Sequence, residues 1–171
     1  MDSHKLSFYE QRTIKWNDAE NCVIMIDQTL LPNQFSYVEC KTVPEVVDAI
    51  KTMKIRGAPA IGVAGAMGVA LAVTRSESRS KKELLCEIEP DLIALKSARP
   101  TAVNLAWGVD QAISELREKL PEVLADPTEA KRTIVQFVEN LADQDVKTNK
   151  KLSDLGARLF RTGDAVLTHC N

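Results

Sequence analysis

Apolar and polar residues follow a strand-like pattern over the first forty positions of the chain. Arg12 to Trp16 and Phe35 to Cys40 alternate between the two classes, and CVIMID, Cys22 to Asp27, is a largely apolar run. The connecting segments NDAEN and LPNQ are rich in residues that favour turns. The pattern predicts short strands that form a small antiparallel sheet.

After Thr42 the apolar spacing becomes helical. Thr42 and Glu45 stand three residues apart, as in a capping box, and Pro44 is tolerated in a first helical turn. One face of this helix carries the apolar residues Val43, Val46, Val47 and Ile50.

Eighteen consecutive residues, Gly57 to Thr74, carry no charge and include four glycines. This length is at the lower limit for a membrane span. The glycines and the early Pro59 instead favour a buried helix that begins near Pro59. Small residues recur at every fourth position, which would let a neighbouring element approach closely.

Two further helices follow. Ser80 and Glu83 form a second capping-box pattern, and we expect Pro90 to kink or split the helix that begins there. Ala102 to Lys119 is amphipathic.

The last helical pattern begins with Asp126 as its N-cap and runs towards Arg161, and Gly163 is expected to end it. Ala165 to His169 then predicts a short strand, the usual entry to a parallel α/β layer. Because one parallel strand cannot stand alone, we expect this sequence to be part of a larger protein that continues beyond Asn171.

Composition narrows the classes of function. The net charge is −2 and aromatic residues make up 5% of the chain, so we expect neither a nucleic-acid surface nor a base-stacking platform. No membrane partner is expected. The N-terminus is polar and lacks the apolar core of a signal peptide, which favours a cytoplasmic location. No two cysteines form a C-x-x-C motif, and there are two histidines, so we expect no metal site.

The segment Arg56-Gly57-Ala58-Pro59 is the first candidate for chemistry. A glycine turn before a helix start leaves free N–H groups that favour an anion, and a neighbouring guanidinium would strengthen the site. Bulk is absent at Gly57 and Ala58, so a ligand could reach the backbone. The alternative is a tightly packed core helix with Arg56 at the surface, and spacing does not decide between them.

Two other segments are weaker candidates. Arg99 also precedes a helix start, with Thr101 able to cap it, but the pattern alone favours an exposed loop arginine. Cys170 follows an apolar strand, at the end where open α/β sheets bind ligands. It is either a packed thiol or a catalytic one. His169 would point to the other side of that strand.

Three long stretches, taken together, resemble the methylthioribose-1-phosphate isomerase family. They are DQTLLPNQFSYVECKTVPEVVDAIKTMKIRGAPAIGVAGAMGVALA, SARPTAVNLAW and GDAVLTHCN, in this order, and the likeness extends to DQDVKTNKKLSDLGARL. The wider group includes ribose-1,5-bisphosphate isomerase and the regulatory-type subunits of initiation factor 2B.

The resemblance implies an α+β fold: a small antiparallel sheet plus a helical bundle, ending at the first strand of a Rossmann-like domain. Residues 1–125 would form the N-terminal domain. Residues 126–171 would form a linking helix and the first strand of the second. Family members are about twice as long as this chain, by resemblance, and their C-terminal half carries an aspartate general acid. We therefore expect the chain to be an N-terminal part that needs the C-terminal half for activity.

The activity implied is an aldose–ketose isomerisation in methionine salvage, which converts 5-methylthioribose 1-phosphate to 5-methylthioribulose 1-phosphate. By resemblance the enzyme is a cytoplasmic homodimer without a cofactor. Arg56, Gly57 and Ala58 match the family's substrate-binding RGA, Arg99 matches its second substrate-binding arginine, and Cys170 matches its catalytic cysteine.

Two other functions stay open, namely a ribose-1,5-bisphosphate isomerase and a non-catalytic initiation factor 2B-like regulatory subunit. A methylthio group would need an apolar pocket where a second phosphate would need a basic one. Leu31, Tyr37 and Val38 are the candidate lining residues of that pocket.

Overall fold

A computed structural model describes residues 11–167. Within that range the strands are β1 (Ile14–Asn17), β2 (Cys22–Ile26) and β3 (Tyr37–Cys40). The helices are α1 (Val43–Lys51), α2 (Ala58–Arg75), α3 (Lys81–Ser97), α4 (Val103–Lys119) and α5 (Thr128–Ala157).

The three strands form one antiparallel sheet in the order β1-β2-β3. Its register pairs Ile14 with Met25 and Val23 with Cys40. Val23 and Met25 on the central strand are fully buried, so β2 is covered by neighbours as its unbroken apolar run predicts. Helices packed beside a small antiparallel sheet confirm the predicted α+β class.

Helix α1 begins at the predicted capping box. The Thr42 hydroxyl accepts a hydrogen bond from the Glu45 backbone N–H at 3.2 Å, and the Glu45 carboxylate accepts one from the Thr42 N–H at 2.9 Å. The Lys41 N–H also donates to this carboxylate, at 2.6 Å. These backbone donors, that of Lys41 first, hold the pKa of Glu45 below its usual value. The four predicted apolar positions of α1 are buried.

Helix α2 is the centre of the molecule. Every residue from Ile61 to Val73 is buried, and α2 contacts all four other helices as well as β1 and β2. By length and composition α2 could cross a membrane, but 72% of it is buried inside the protein. The prediction of a buried helix is therefore confirmed, and the prediction that it begins near Pro59 is correct to one residue.

The backbones of α2 and α4 touch where two glycines face each other. A Cβ atom placed on Gly108 would lie 2.0 Å from the carbonyl oxygen of Gly62. A Cβ atom on Gly62 would lie 3.0 Å from the carbonyl oxygen of Asn104. The small residues noted in the sequence therefore serve close helix packing, as predicted.

Pro90 does not split α3, so that part of the prediction is wrong. The helix runs from Lys81 to Ser97 with Pro90 inside it. Pro90 is exposed, so water can reach the carbonyl that loses its backbone donor. Leu84, Ile88 and Leu95 are buried and hold the two halves of α3 against the core.

The start of α5 lies close to the prediction. It begins at Thr128, with Pro127 rather than Asp126 as its N-cap. The Asp126 carboxylate still accepts the Thr128 N–H at 2.6 Å, as a capping side chain would.

The end of α5 differs more. The helix stops at Ala157, and Gly163 lies in a later turn with a φ of 99°. Its buried residues end at Ala142, so the last turns of α5 have no packing to extend them. Ala165 to Leu167 form no strand, since no described strand pairs with them. The rest of the predicted strand lies outside the described residues.

The contact between α2 and α4 predicts a large cost for Gly108→Ala. The added methyl would overlap the Gly62 backbone, so the helices must separate, and unfolding free energy should fall by about 1–3 kcal/mol or more. Gly156→Ala is the control, because a Cβ there meets nothing within 4 Å, and it should add about 0.5–1 kcal/mol. Urea denaturation followed by circular dichroism measures both. A Gly108→Ala protein as stable as the parent would contradict this packing.

Candidate functional site

A cavity of about 440 Å³ opens at the N-terminal end of α2. It is bounded by the segment before β1, the end of β2 and its following loop, the loop between α1 and α2, and one face of α5. Its lining residues are Gln11, Thr13, Ile26, Gln28, Leu31, Arg56, Gly57, Pro59, Ala60, Asp145 and Asn149. Arg56 and Gly57, two of the residues predicted to bind substrate, therefore lie in one cavity.

Arg56 has a fixed backbone and a free side chain. The Gln28 side-chain amide donates to the Arg56 carbonyl at 3.3 Å, and the Gln28 backbone N–H donates to the Lys54 carbonyl at 2.9 Å. Buried Ile55 between them anchors the loop. Within residues 11–167 the Arg56 guanidinium makes no ion pair and no hydrogen bond. The loop backbone is thus held in place, and the guanidinium that it carries is available to a ligand.

Gly57 is required by the backbone rather than by lack of space. Its φ is 92° and its ψ is 128°, a conformation that other residues rarely adopt. Nothing lies within 4 Å of a Cβ placed there. Gly57 is the N-cap of α2, and its carbonyl accepts the Ile61 N–H at 2.9 Å. The sharp turn predicted at this glycine is confirmed.

The first turn of α2 leaves backbone donors near the cavity. Pro59 has no N–H, and the amides of Ala58 and Ala60 precede the first intrahelical bond. Ala58 is exposed and does not line the cavity, so its substrate-binding role stays a prediction. An anion beside Arg56 would meet these donors and the positive end of the helix dipole.

Two predicted site residues are not brought to this cavity. Arg99 is half-buried in the connection between α3 and α4 and is not a lining residue. The cap predicted for Thr101 is wrong, because α4 begins after Ala102 without a side-chain cap. Cys170 lies outside the described residues. The substrate role of Arg99 and the catalytic role of Cys170 therefore stay predictions.

Asp145 is a candidate that sequence reasoning missed. It is half-buried on α5, and the Asn149 side chain donates to its Oδ1 at 3.0 Å. Burial raises the pKa of the Asp145 carboxyl, against the lowering effect of this hydrogen bond. The four-residue spacing that places Asp145 and Asn149 on one helix face was the feature of the sequence that could have identified this pair.

Gln11 adds an unsatisfied polar atom to the same cavity. Its side-chain oxygen is buried and accepts no hydrogen bond within the described residues. Buried polar atoms are seldom left without a partner, so this oxygen indicates a place for a ligand donor or a water molecule.

A second cavity of about 460 Å³ adjoins the first and shares Pro59 and Asp145 with it. Its apolar lining residues are Val63, Trp107, Phe137 and Leu141. Of the three residues predicted to line an apolar pocket, Leu31 lines the first cavity. Tyr37 and Val38, on β3, line neither cavity.

One other cluster has the donor types of a metal site. Atoms of Glu20, Cys22 and Glu39 lie within 4.8 Å of one another at the edge of the sheet. The Lys41 ammonium lies 2.6 Å from the Glu20 carboxylate and already supplies a positive charge. Burial raises the pKa of the Cys22 thiol, which disfavours the thiolate that a metal would need. The cluster is best described as a salt-bridged sheet edge.

Comparison with known proteins gives a consistent picture. The model of the initiation factor 2 subunit family matches residues 54–171. A Methanosarcina acetivorans protein provisionally named methylthioribose-1-phosphate isomerase is 41% identical over 94% of this chain and 44% of its own length. The 5-deoxyribose 1-phosphate isomerase of Moorella thermoacetica is 40% identical over 92% of this chain and 44% of its own.

Solved structures from the same two groups of proteins, initiation factor 2B subunits and isomerases, also match the chain. The eIF-2B delta subunit from A. fulgidus superposes with a TM-score of 0.79 at 40% identity, covering 94% of this chain and 45% of that one. The 5-methylthioribose 1-phosphate isomerase from Pyrococcus horikoshii superposes with a TM-score of 0.76 at 38% identity, covering 87% and 40%. The chain thus spans less than half the length of the relatives it matches.

The backbone of Gly57 predicts the effect of Gly57→Ala. An alanine at this φ is strained, so we expect unfolding free energy to fall by about 1–3 kcal/mol although no atom is overlapped. Gly163→Ala is the matched control, since Gly163 also has a positive φ, of 99°, but lies in the exposed segment after α5. Thermal melts compare them. We expect Gly57→Ala to lower the melting temperature more than Gly163→Ala does. If neither substitution changes the melting temperature, the turn at Gly57 is not a fixed element of the fold.

Proposed function

Because the chain belongs to the initiation factor 2 subunit family, we propose that it carries the phosphate-binding part of an aldose–ketose isomerase. The substrate is 5-methylthioribose 1-phosphate, and the product is 5-methylthioribulose 1-phosphate, as in methionine salvage. The activity belongs to the whole protein, since the chain covers less than half the length of the relatives named as isomerases.

The guanidinium of Arg56 at the start of α2, which has no partner within residues 11–167, is the observation that carries this proposal. A positioned arginine beside a helix N-terminus suits a phosphate group, because both supply donors and positive charge. The loop that holds Arg56 is anchored by Gln28 and by buried Ile55. The backbone that carries the cation is therefore ordered before a ligand arrives, which lowers part of the ordering cost of binding.

The lining of the cavity favours one phosphate over two. Arg56 is the single cation among its described lining residues, and Asp145 is an anion. A second phosphate would meet Asp145 and the apolar side chains of Ile26 and Leu31. This supports methylthioribose 1-phosphate over ribose 1,5-bisphosphate, and a relative named 5-deoxyribose 1-phosphate isomerase is compatible with the same choice.

The reaction needs more groups than this cavity provides. The phosphate on the anomeric carbon prevents free ring opening, so a general acid must assist it before hydrogen moves between C2 and C1. We assign Cys170 to that hydrogen transfer, Arg99 to a second substrate contact, and Ala58 to the backbone that faces the phosphate. We place the general acid in the part of the protein that corresponds to the remaining length of the relatives.

The remaining features of the proposal follow the family. The enzyme would act as a cytoplasmic homodimer without an added cofactor. Residues 1–125 would form the N-terminal domain, and residues 126–171 the linking helix and the entry to a Rossmann-like domain. Neither nucleic acid nor a membrane is a proposed partner.

A second candidate function is a non-catalytic regulatory subunit of the initiation factor 2B type. The likeness to the A. fulgidus delta subunit supports it, at a TM-score of 0.79. The cavity at the start of α2, with an Arg56 side chain that has no partner among the described residues, favours the isomerase, because a sugar phosphate would use both.

Arg56→Gln tests the phosphate site. Loss of a charged hydrogen bond should weaken binding of inorganic phosphate and of ribose 1-phosphate by about 10- to 100-fold, measured by isothermal titration calorimetry. Arg158→Gln removes the same charge from the exposed end of α5 and should leave both affinities unchanged. Equal affinities for the parent and Arg56→Gln would disprove the proposed site.

Cys170→Ser tests the catalytic assignment in the intact protein in which this sequence occurs. Turnover of 5-methylthioribose 1-phosphate should fall by about 10²- to 10⁴-fold, the usual contribution to the rate of a group that transfers a proton. The control is Cys86→Ser, since Cys86 is exposed on α3 and lines neither cavity. Near-normal turnover by Cys170→Ser would remove the assignment.

A further inference from the structure

Asp145 and Arg56 bring opposite charges to one cavity from separate elements. Arg56 comes from the loop before α2, and Asp145 comes from α5. No ion pair joins them, and within residues 11–167 the guanidinium has no partner. Each charge is therefore left to interact with a different part of a ligand.

We infer that Asp145, oriented by Asn149, accepts a hydrogen bond from a hydroxyl group of the sugar whose phosphate is held at Arg56. This inference rests on the proposed function. It names Asp145 as the residue that recognises the sugar, the part of the substrate that the phosphate site does not contact. It makes Asp145 the residue that distinguishes a sugar phosphate from inorganic phosphate.

The hydrogen-bonding capacity of the carboxylate supports this assignment. Asn149 Nδ2 donates to Oδ1 at 3.0 Å and also to the Asp145 backbone carbonyl at 3.0 Å, so the two side chains hold each other in place. The other carboxylate oxygen, Oδ2, has no donor within the described residues. A half-buried carboxylate with a free oxygen is suited to a hydroxyl donor.

Gln11 supplies an independent sign that the cavity accepts donors. Its buried side-chain oxygen has no partner within residues 11–167. The cavity thus offers two oxygen acceptors, on Asp145 and Gln11, and one cationic donor, on Arg56. A molecule with several hydroxyl groups and one phosphate carries the complementary set of donors and acceptors.

The carboxylate of Asp145 is partly desolvated in the folded protein. Burial raises the pKa of Asp145, so the folded state binds more protons than the unfolded state just above the ordinary aspartate pKa. Stability therefore falls as pH rises through the interval between the ordinary and the raised value, and it stays lower at neutral pH. Asparagine would avoid this cost and could still accept the hydrogen bond from Asn149.

The test compares two probes, inorganic phosphate and ribose 1-phosphate, by titration calorimetry at pH 7. The parent chain should prefer ribose 1-phosphate. Asp145→Asn should keep the affinity for inorganic phosphate and lose about 10- to 100-fold of the affinity for ribose 1-phosphate, the range for a hydrogen bond to a charged group. Asn149→Ala should lose part of the same preference, because it leaves the carboxylate in place but unoriented.

Two controls separate this role from a structural one. Asp154→Asn removes a charge from an exposed position of α5 and should change neither affinity. Asp145→Asn should melt no lower than the parent at pH 7, so a loss of sugar binding cannot be ascribed to unfolding.

The outcomes distinguish this inference from the proposed function. If Asp145→Asn keeps the preference for ribose 1-phosphate, the assignment of Asp145 is wrong. The same holds if the parent chain shows no such preference. Either result would stand even where Arg56→Gln abolishes phosphate binding. If Asp145→Asn loses the preference while Arg56→Gln binds phosphate normally, Asp145 recognises the sugar and the phosphate site is misplaced. If the parent binds neither probe, both proposals fall.

Discussion

The backbone contact between α2 and α4 sets the positions of the other elements. Gly62 and Gly108 let the two helices approach until a single added Cβ would overlap a carbonyl oxygen. At this distance α2 is enclosed on every side, with Ile61 to Val73 buried. The hydrophobic effect then favours α1, α3, α5 and the sheet each covering a part of α2.

The enclosure of α2 also positions the candidate site. Because the body of the helix is fixed in the core, its first turn has a fixed place at the surface. Gly57 turns the chain into that helix with a φ of 92°, and Gln28 ties the preceding loop to the end of β2. Arg56 is therefore presented on a rigid support, while α5 brings Asp145 to the same cavity. The core thus fixes the backbone positions from which the Arg56 and Asp145 side chains reach the cavity.

Local patterns predicted much of this fold. The strands, the Thr42 capping box and the burial of α2 follow from periodicity and cap chemistry, and each is set by neighbours in sequence. The split predicted at Pro90 and the helix end predicted at Gly163 were wrong for one shared reason, since tertiary packing decides where α3 continues and where α5 ends. Pairing of Ala165 to Leu167 depends on a partner strand, which their own sequence cannot reveal.

The sequence could predict only some of the residues of the candidate site. Arg56 and Gly57 are neighbours, so a motif could indicate them. Asp145 is almost ninety residues further along the chain, and only the packing of α5 against α2 and β1 brings it into the cavity. Gln11 carried no signal, because an amide before a strand is ordinary until its oxygen is found buried without a donor.

The most direct test of the central claim is a titration of the isotopically labelled chain with ribose 1-phosphate, followed by amide chemical shifts. A ligand in the cavity should move the amide signals of Arg56, Gly57 and Ala60, together with those of Gln28 and Asp145. The signals of Glu20 and Glu39, at the edge of the sheet, should stay in place. Shifts confined to that sheet edge, or no shifts at all, would contradict the claim that the start of α2 is a sugar-phosphate site.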